Sequence, residues 1–134
     1  MLTENDIINA VSDYLLKAGY QILRVSNTRQ KGHDIIAERQ GAKIFVEAKG
    51  ETSSKEYTNR FGKPFNSAQI RVHVAESLYK AIATKQANPN AKVAIAFPAT
   101  RTHKQLMENV FKIIHMLEIQ IFFVNQDKSV NEID

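Results

Sequence analysis

The chain has 134 residues and a formal net charge of +4, and its 43% hydrophobic and 24% charged residues are the proportions of one globular domain spanning residues 1–134. The absence of cysteine excludes disulfide scaffolds and metal sites built on thiolates. The N-terminus lacks the features of a signal peptide, and no apolar run approaches the roughly 18 residues of a membrane span, so we expect a cytoplasmic protein with no membrane partner.

The first half of the chain predicts one helix and three short strands. Apolar residues at three- and four-residue steps indicate a helix over residues 3–17, with Thr3 and Asp6 as its N-terminal capping pair. Strands are predicted over residues 21–25, 33–39 and 42–49. Gln40 and Gly41 separate the second and third of these strands, and this pair predicts a tight hairpin turn.

The second half predicts helices alternating with buried strands. Residues 50–66 are polar and contain Gly62 and Pro64, which indicates a loop. A long helix begins at Ser67 and carries an apolar stripe expected to face the core, made of Ala68, Val72, Ala75, Tyr79 and Ile82. A strand over residues 92–97, a helix over 102–117 and a strand over 119–124 follow, and the last residues are expected to fray. The order α-β-β-β-α-β-α-β predicts an α/β fold with a mixed five-stranded sheet flanked by helices on both faces.

Charge is unevenly distributed along the chain. The segment from Arg71 to Lys104 carries six basic residues and one acidic residue, whereas residues 105–134 carry two basic and five acidic ones. Such an asymmetry is typical of a protein that presents one positive side to a polyanion. A solvated basic surface explains the same distribution, so charge alone leaves the choice open.

The hairpin holds the residues that most specifically indicate chemistry. With Gln40 and Gly41 as the turn, Asp34 lies opposite Glu47, with Cβ atoms about 4.5–5.5 Å apart on one sheet face, and Lys49 points to that face as well. Two carboxylates so placed repel each other, and a divalent cation between them removes the repulsion. Hard oxygen ligands at this spacing suit Mg²⁺.

A simpler structural interpretation exists for the same residues. Glu47 and Lys49 could lie on a solvated strand face, and Asp34 could merely begin a strand. The functional interpretation is favoured because Glu47 ends an apolar strand that should be buried, and because Asp34 opens another apolar strand directly after Gly32 and His33.

The spacing of Asp34, twelve further residues and then Glu47-Ala48-Lys49 resembles the signature of the PD-(D/E)XK, or restriction-endonuclease-like, nucleases. The order of elements resembles that family's core as well, and the small Holliday-junction-resolvase and Mrr-like branches are the most similar. The resemblance implies Mg²⁺-dependent hydrolysis of nucleic-acid phosphodiesters, with Mn²⁺ able to substitute. It implies that Asp34, Glu47 and the backbone carbonyl of Ala48 hold the metal, and that Lys49 orients or activates the attacking water.

Two further catalytic residues follow from the resemblance, and the sequence departs from the family pattern at three points. His33 replaces the proline of the motif. Glu4 is the candidate for a first-helix glutamate, although the family residue often lies nearer the helix middle, where this chain has Asp13, and an N-terminal capping acid is the alternative for Glu4. Gln69 is expected to orient a phosphate or a water, although the Gln-x-x-x-Tyr of RecB-like members ends here in His73.

Nucleic-acid contacts are expected from the loop after the motif and from the next helix. The basic candidates, interleaved in the loop with Tyr57 and Phe61, are Lys55, Arg60, Lys63 and Arg71. We expect DNA as the substrate and a homodimer, because a small unit with one site needs two copies to cut both strands. A catalytically silent nucleic-acid-binding or regulatory subunit of the same fold is the alternative, and a separate targeting subunit is compatible with either function.

Overall fold

The computed structural model describes residues 1–26, 32–52 and 63–133. The elements in chain order are α1 (Glu4–Lys17), β1 (Gln21–Val25), β2 (Ile35–Arg39), β3 (Ala42–Ala48), α2 (Ser67–Ala87), β4 (Lys92–Pro98), α3 (Arg101–Glu108), α4 (Phe111–Met116), β5 (Ile119–Val124) and β6 (Val130–Ile133). In this part of the chain, no helix combines the length and the apolar character needed to cross a membrane.

The strands form one mixed sheet in the order β1-β2-β3-β4-β5-β6. β1, β2 and β3 are an antiparallel meander, β3, β4 and β5 are parallel, and β6 returns antiparallel to β5. This confirms the predicted α/β class with a mixed sheet. The predicted count of five strands was wrong, because Val130–Ile133 pairs with β5 instead of fraying. A tight turn, in which Asn125 N–H donates to the carbonyl of Ser129, returns the chain to the sheet.

The start of α1 is held at the end of β3. Thr3 and Asp6 form the predicted capping box, with each side chain accepting from the other residue's backbone N–H at 3.1 and 2.9 Å. A Cβ on Gly50 would lie 2.4 Å from the backbone nitrogen of Glu4, so only glycine lets the chain leaving β3 pass this helix end. Glu4 is therefore fixed at the carboxyl edge of the sheet.

Apolar side chains form two layers, one on each sheet face. The first layer lies between the sheet and α1, and its members include Ile7, Ile8, Val11, Leu15, Ile35, Ile44, Val46 and Phe122. The second layer lies between the sheet and α2, α3 and α4, and its members include Ile70, Val74, Val93, Ile95, Phe97, Met107, Ile114 and Phe123. Helices on both faces are thus confirmed.

The prediction for the buried face of α2 was wrong. The expected stripe is exposed, with Val72 at 54% and Tyr79 at 78%, and the face against the sheet is instead made of Ile70, Val74, Ser77, Ala81 and Thr84. Ser77 and Thr84 can be buried because their hydroxyls donate to backbone carbonyls of their own helix, each at 2.8 Å. Small, internally bonded side chains therefore occupy core positions that hydrophobicity alone does not identify.

The helix predicted over residues 102–117 is in fact two helices. Val110, with φ −128° and ψ 2°, leaves the helical conformation between α3 and α4. Met107 and Ile114 both reach the second layer, and their seven-residue separation equals two turns of a continuous helix. Hydrophobic spacing therefore could not reveal the break.

Candidate functional site

The β2–β3 hairpin has the predicted turn and register. Gln40 and Gly41 adopt φ of +53° and +81°, as a tight two-residue hairpin turn requires, and the ladder extends from Arg39 opposite Ala42 to Ile35 opposite Val46. Asp34 and Glu47 come directly after the last of these pairs. Alternation along the strands directs both side chains to the α2 face, opposite to the face that Ile35 and Val46 help to cover.

Asp34 is bound to the backbone of β3. Its carboxylate accepts the N–H of Ala48 at 2.7 Å, which holds it beside Glu47. Burial raises the pKa of the Asp34 carboxyl above its usual range, the Ala48 N–H opposes that rise, and the charge of Glu47 adds to it. The expected proximity of the two acids is therefore present in the structure.

Glu47 is almost completely buried, at 3% exposure, and two cationic or donor groups satisfy it. The ammonium of Lys80 lies 3.0 Å from Oε2, and Nδ1 of His33 lies 3.1 Å from Oε1. The His33 ring also packs against Phe45, with centroids 4.7 Å apart. A buried carboxylate requires such partners, because desolvation without them costs several kcal/mol.

Glu4 approaches these acids from the start of α1, the helix that covers the opposite face of the sheet. Burial, followed by the charge of Asp34, raises the pKa of Glu4 to about 7, whereas Lys49 and Lys80 lower it. The first-helix candidate therefore lies within electrostatic reach of the hairpin acids, in addition to its place in the first turn of α1. Asp13, by contrast, is exposed.

Lys49 continues β3 into the site. Its backbone N–H donates to the carbonyl of Ala96, and its ammonium lies 3.5 Å from Oε2 of Glu76 on α2. The same ammonium lowers the pKa values of Asp34 and Glu4, which places it on the side of the acids. Lys49 is thus near the carboxylates while forming its direct ion pair with a helix residue.

Gln69 lies in a helix cap. Its side-chain oxygen accepts the N–H of Asn66 at 2.8 Å, and the Asn66 side chain accepts the N–H of Gln69 in return. These bonds hold Gln69 at the start of α2, and its described hydrogen bonds do not reach Asp34 or Glu47. A role in orienting phosphate or water stays a prediction.

The basic residues expected to contact nucleic acid are only partly within the described structure. Lys63 and Arg71 are exposed, Lys63 before α2 and Arg71 in its second turn. Lys55 and Arg60 lie outside the described residues. The expected interface therefore stays a prediction.

The donor atoms at this edge fit a hard divalent cation in kind. Asp34 and Glu47 supply carboxylate oxygens, and the backbone of Ala48 could add a carbonyl, which suits Mg²⁺ because that ion binds one or two carboxylates and keeps several waters. Across residues 1–26, 32–52 and 63–133, no three histidine, aspartate or glutamate side chains are placed to ligate one ion. A metal here would depend on the two hairpin acids, backbone and water.

Sequence reasoning missed two side chains of this site. His33 was noted only as the replacement for a proline, and Lys80 only as part of a general basic surface. A signal for Lys80 exists, because Gln69, His73, Glu76 and Lys80 recur at steps of four, three and four residues. That spacing makes a polar stripe on α2, and it leads from the helix start to Glu47.

Comparisons with known proteins identify the fold. No family model matches the chain, and no curated protein matches it. A crystal structure described as a FdxN element excision controlling factor protein from Anabaena variabilis is similar over 97% of this chain and 99% of its own, with 21% identity and a TM-score of 0.61. An XisH family protein from Nostoc punctiforme is similar over 96% and 99%, with 18% identity and a TM-score of 0.57. This chain therefore shares the fold of these proteins along nearly its whole length.

Proposed function

We propose that this protein is a Mg²⁺-dependent endonuclease of the PD-(D/E)XK type that hydrolyses phosphodiester bonds of DNA. The observation that carries the proposal is the proximity of Asp34, which directly precedes β2, to Glu47 on β3, on the sheet face toward which Lys49 also projects. A buried Glu47 beside a half-buried second carboxylate is costly for the fold, which is the expected signature of a site maintained for chemistry.

The chain's own residues would divide the work as follows. Asp34, Glu47 and the carbonyl of Ala48 would hold the metal, which when bound supplies Lewis-acid polarisation of the phosphate and a more acidic water. Lys49 would leave its 3.5 Å contact with Glu76 and orient the attacking water against the phosphate. Glu4 would add negative charge or accept a proton at the same edge.

Contacts to the rest of a bound strand need cations outside the group of acids that would hold the metal. Lys63 and Arg71 are exposed near the start of α2, and Lys55 and Arg60 belong to the proposed set by sequence. A homodimer would present two such sites to the two strands of a duplex. One structural neighbour is named as an element excision controlling factor, and that name links that protein with excision.

The direct test is cleavage of plasmid, single-stranded DNA, RNA and a four-way junction in Mg²⁺ or Mn²⁺. We expect the wild type to cut at least one DNA substrate, and Glu47→Ala to lose cleavage while binding the same DNA, since the change removes a metal ligand and negative charge. Glu108→Ala, an exposed acid on α3, is the matched control and should cut normally. Undiminished cleavage by Glu47→Ala would contradict the proposal.

A second candidate is a controlling subunit that binds nucleic acid without cutting it. The specific observation in its favour is the ion pair of 3.0 Å between Lys80 and Glu47, since a site satisfied internally needs no metal. This function predicts that the wild type binds DNA but leaves all four substrates intact in either metal.

A further inference from the structure

Lys80, in the second half of α2, reaches toward the acidic cluster, which consists of Glu4, Asp34 and Glu47. Its ammonium donates to the carbonyl of Gly32 at 2.7 Å and lies 3.0 Å from Oε2 of Glu47. The Lys80 side chain is 43% exposed, whereas the carboxylate that it contacts is nearly fully buried. Lys80 is thus a partly solvated cation whose charge is directed at a desolvated acid.

The same ammonium acts on all three acids of the cluster. Besides its contact with Glu47, its charge lowers the pKa values of Asp34 and Glu4. One positive charge therefore lies within electrostatic reach of three carboxylates, and it contacts that of Glu47 directly. A divalent cation bound to Asp34 and Glu47 would face the same negative potential.

We propose that Lys80 is a built-in counter-ion of the site, which neutralises Glu47 in the metal-free protein and is displaced when a divalent cation binds. This inference rests on the proposed function, because it takes Asp34 and Glu47 as the metal-holding pair. Lys80 is accordingly a positioning residue that keeps the buried carboxylate in place before the metal arrives.

The surroundings of Lys80 allow the displacement. A groove of about 820 Å³ runs along α2 beside the site, and its walls include His33, Tyr79, Lys80 and Ala83. Among the described residues, this groove offers the lysine side chain a place away from Glu47. Released, its charge would face the solvent side, from which a phosphate would approach.

The test measures Mn²⁺ affinity by titration calorimetry and by electron paramagnetic resonance, without nucleic acid. Lys80→Gln keeps a polar side chain but removes the competing charge, so we expect Mn²⁺ to bind about 5- to 30-fold more tightly than to the wild type, the factor for one to two kcal/mol. Lys85→Gln is the matched control, since Lys85 is on the same helix and also contacts a carbonyl and a carboxylate, those of Ala91 and Glu118. Its Mn²⁺ affinity should be unchanged.

A second readout follows thermal unfolding in the presence of chelator and of Mn²⁺. Lys80→Gln should unfold at a lower temperature than the wild type in chelator, and Mn²⁺ should raise its melting temperature by more than that of the wild type. Adding Glu47→Gln should abolish both differences, because no buried charge is then left to compensate.

The outcomes separate this inference from the proposed function. Tighter Mn²⁺ binding by Lys80→Gln, or binding by that variant alone, supports the counter-ion. If the wild type binds Mn²⁺ and cuts DNA, and Lys80→Gln binds Mn²⁺ equally or more weakly than the wild type, the counter-ion role is overturned. The proposed nuclease function is then retained. Absence of Mn²⁺ binding in both proteins overturns both.

Discussion

The two faces of the sheet bury different kinds of side chain. The first layer, against α1, is a continuous cluster of aliphatic and aromatic groups such as Ile8 and Phe122. On the opposite face, the second layer adjoins Glu47 at 3% exposure and contains His103 at 0%. The α1 face buries one hydroxyl without a hydrogen-bond partner, that of Ser12, whereas the α2 face buries ionisable groups, one of them in the proposed site.

Truncation in the first layer should have the largest effect. Ile8 is fully buried, so Ile8→Ala should lower the free energy of unfolding by about 2–5 kcal/mol through lost burial and a residual cavity. Val72→Ala on the exposed stripe of α2 should change it by no more than about 0.5 kcal/mol. Urea denaturation of both variants measures the contrast, and similar losses would contradict the assignment of the buried faces.

A methyl group at Gly50, where the end of β3 passes the start of α1, should have the next largest effect on stability. Gly50→Ala forces a Cβ against the backbone of Glu4, so we expect a loss of about 1–3 kcal/mol and a displaced α1 start. Gly41→Ala, which has open space but a φ of +81°, is a control for backbone strain alone. If the account holds, cleavage by Gly50→Ala falls more than cleavage by Gly41→Ala at equal stability. Equal activities would show that the position of Glu4 is unimportant.

The buried histidine of the α2 face should give a smaller, pH-dependent effect. Burial lowers the pKa of His103 to about 4 from its ordinary 6.5, so this group makes the unfolded chain bind more protons between these values and lowers stability as the pH falls through that range. The raised pKa of Glu4 acts in the opposite direction, and its contribution is common to the wild type and His103→Leu. Between pH 7 and pH 5 the wild type should therefore lose about 2 kcal/mol of stability relative to His103→Leu. A wild-type profile that already matches this variant would contradict a neutral, buried His103.

Much of the fold could be predicted because local signals agree with tertiary structure. The Thr3–Asp6 capping box, the Gln40-Gly41 turn and the alternation around it each identify an element and its neighbour. The hairpin register that follows from this turn places Asp34 beside Glu47. Register is well specified here, because a slip of one residue would move Ile35 and Val46 out of the first layer.

The errors have several causes, and only some of them lie in contacts distant along the chain. Ser77 and Thr84 face the core because their hydroxyls bond within α2, and β6 forms because β5 offers it a free edge. Lys80 reaches Glu47 across 33 positions of sequence, and no local pattern requires that contact. The residues that the hairpin contributes to the candidate site could therefore be predicted, whereas the contribution of Lys80 from α2 could not.

The most direct measurement is anomalous diffraction from crystals of this protein soaked in Mn²⁺. The account predicts one strong peak within ligand distance of the Asp34 and Glu47 carboxylates and the Ala48 carbonyl, with the ammonium of Lys80 moved away from Glu47. Crystals of Glu47→Ala should lack that peak. A wild-type protein that shows no peak at this edge in saturating Mn²⁺, or a peak held by other residues, would contradict the central claim.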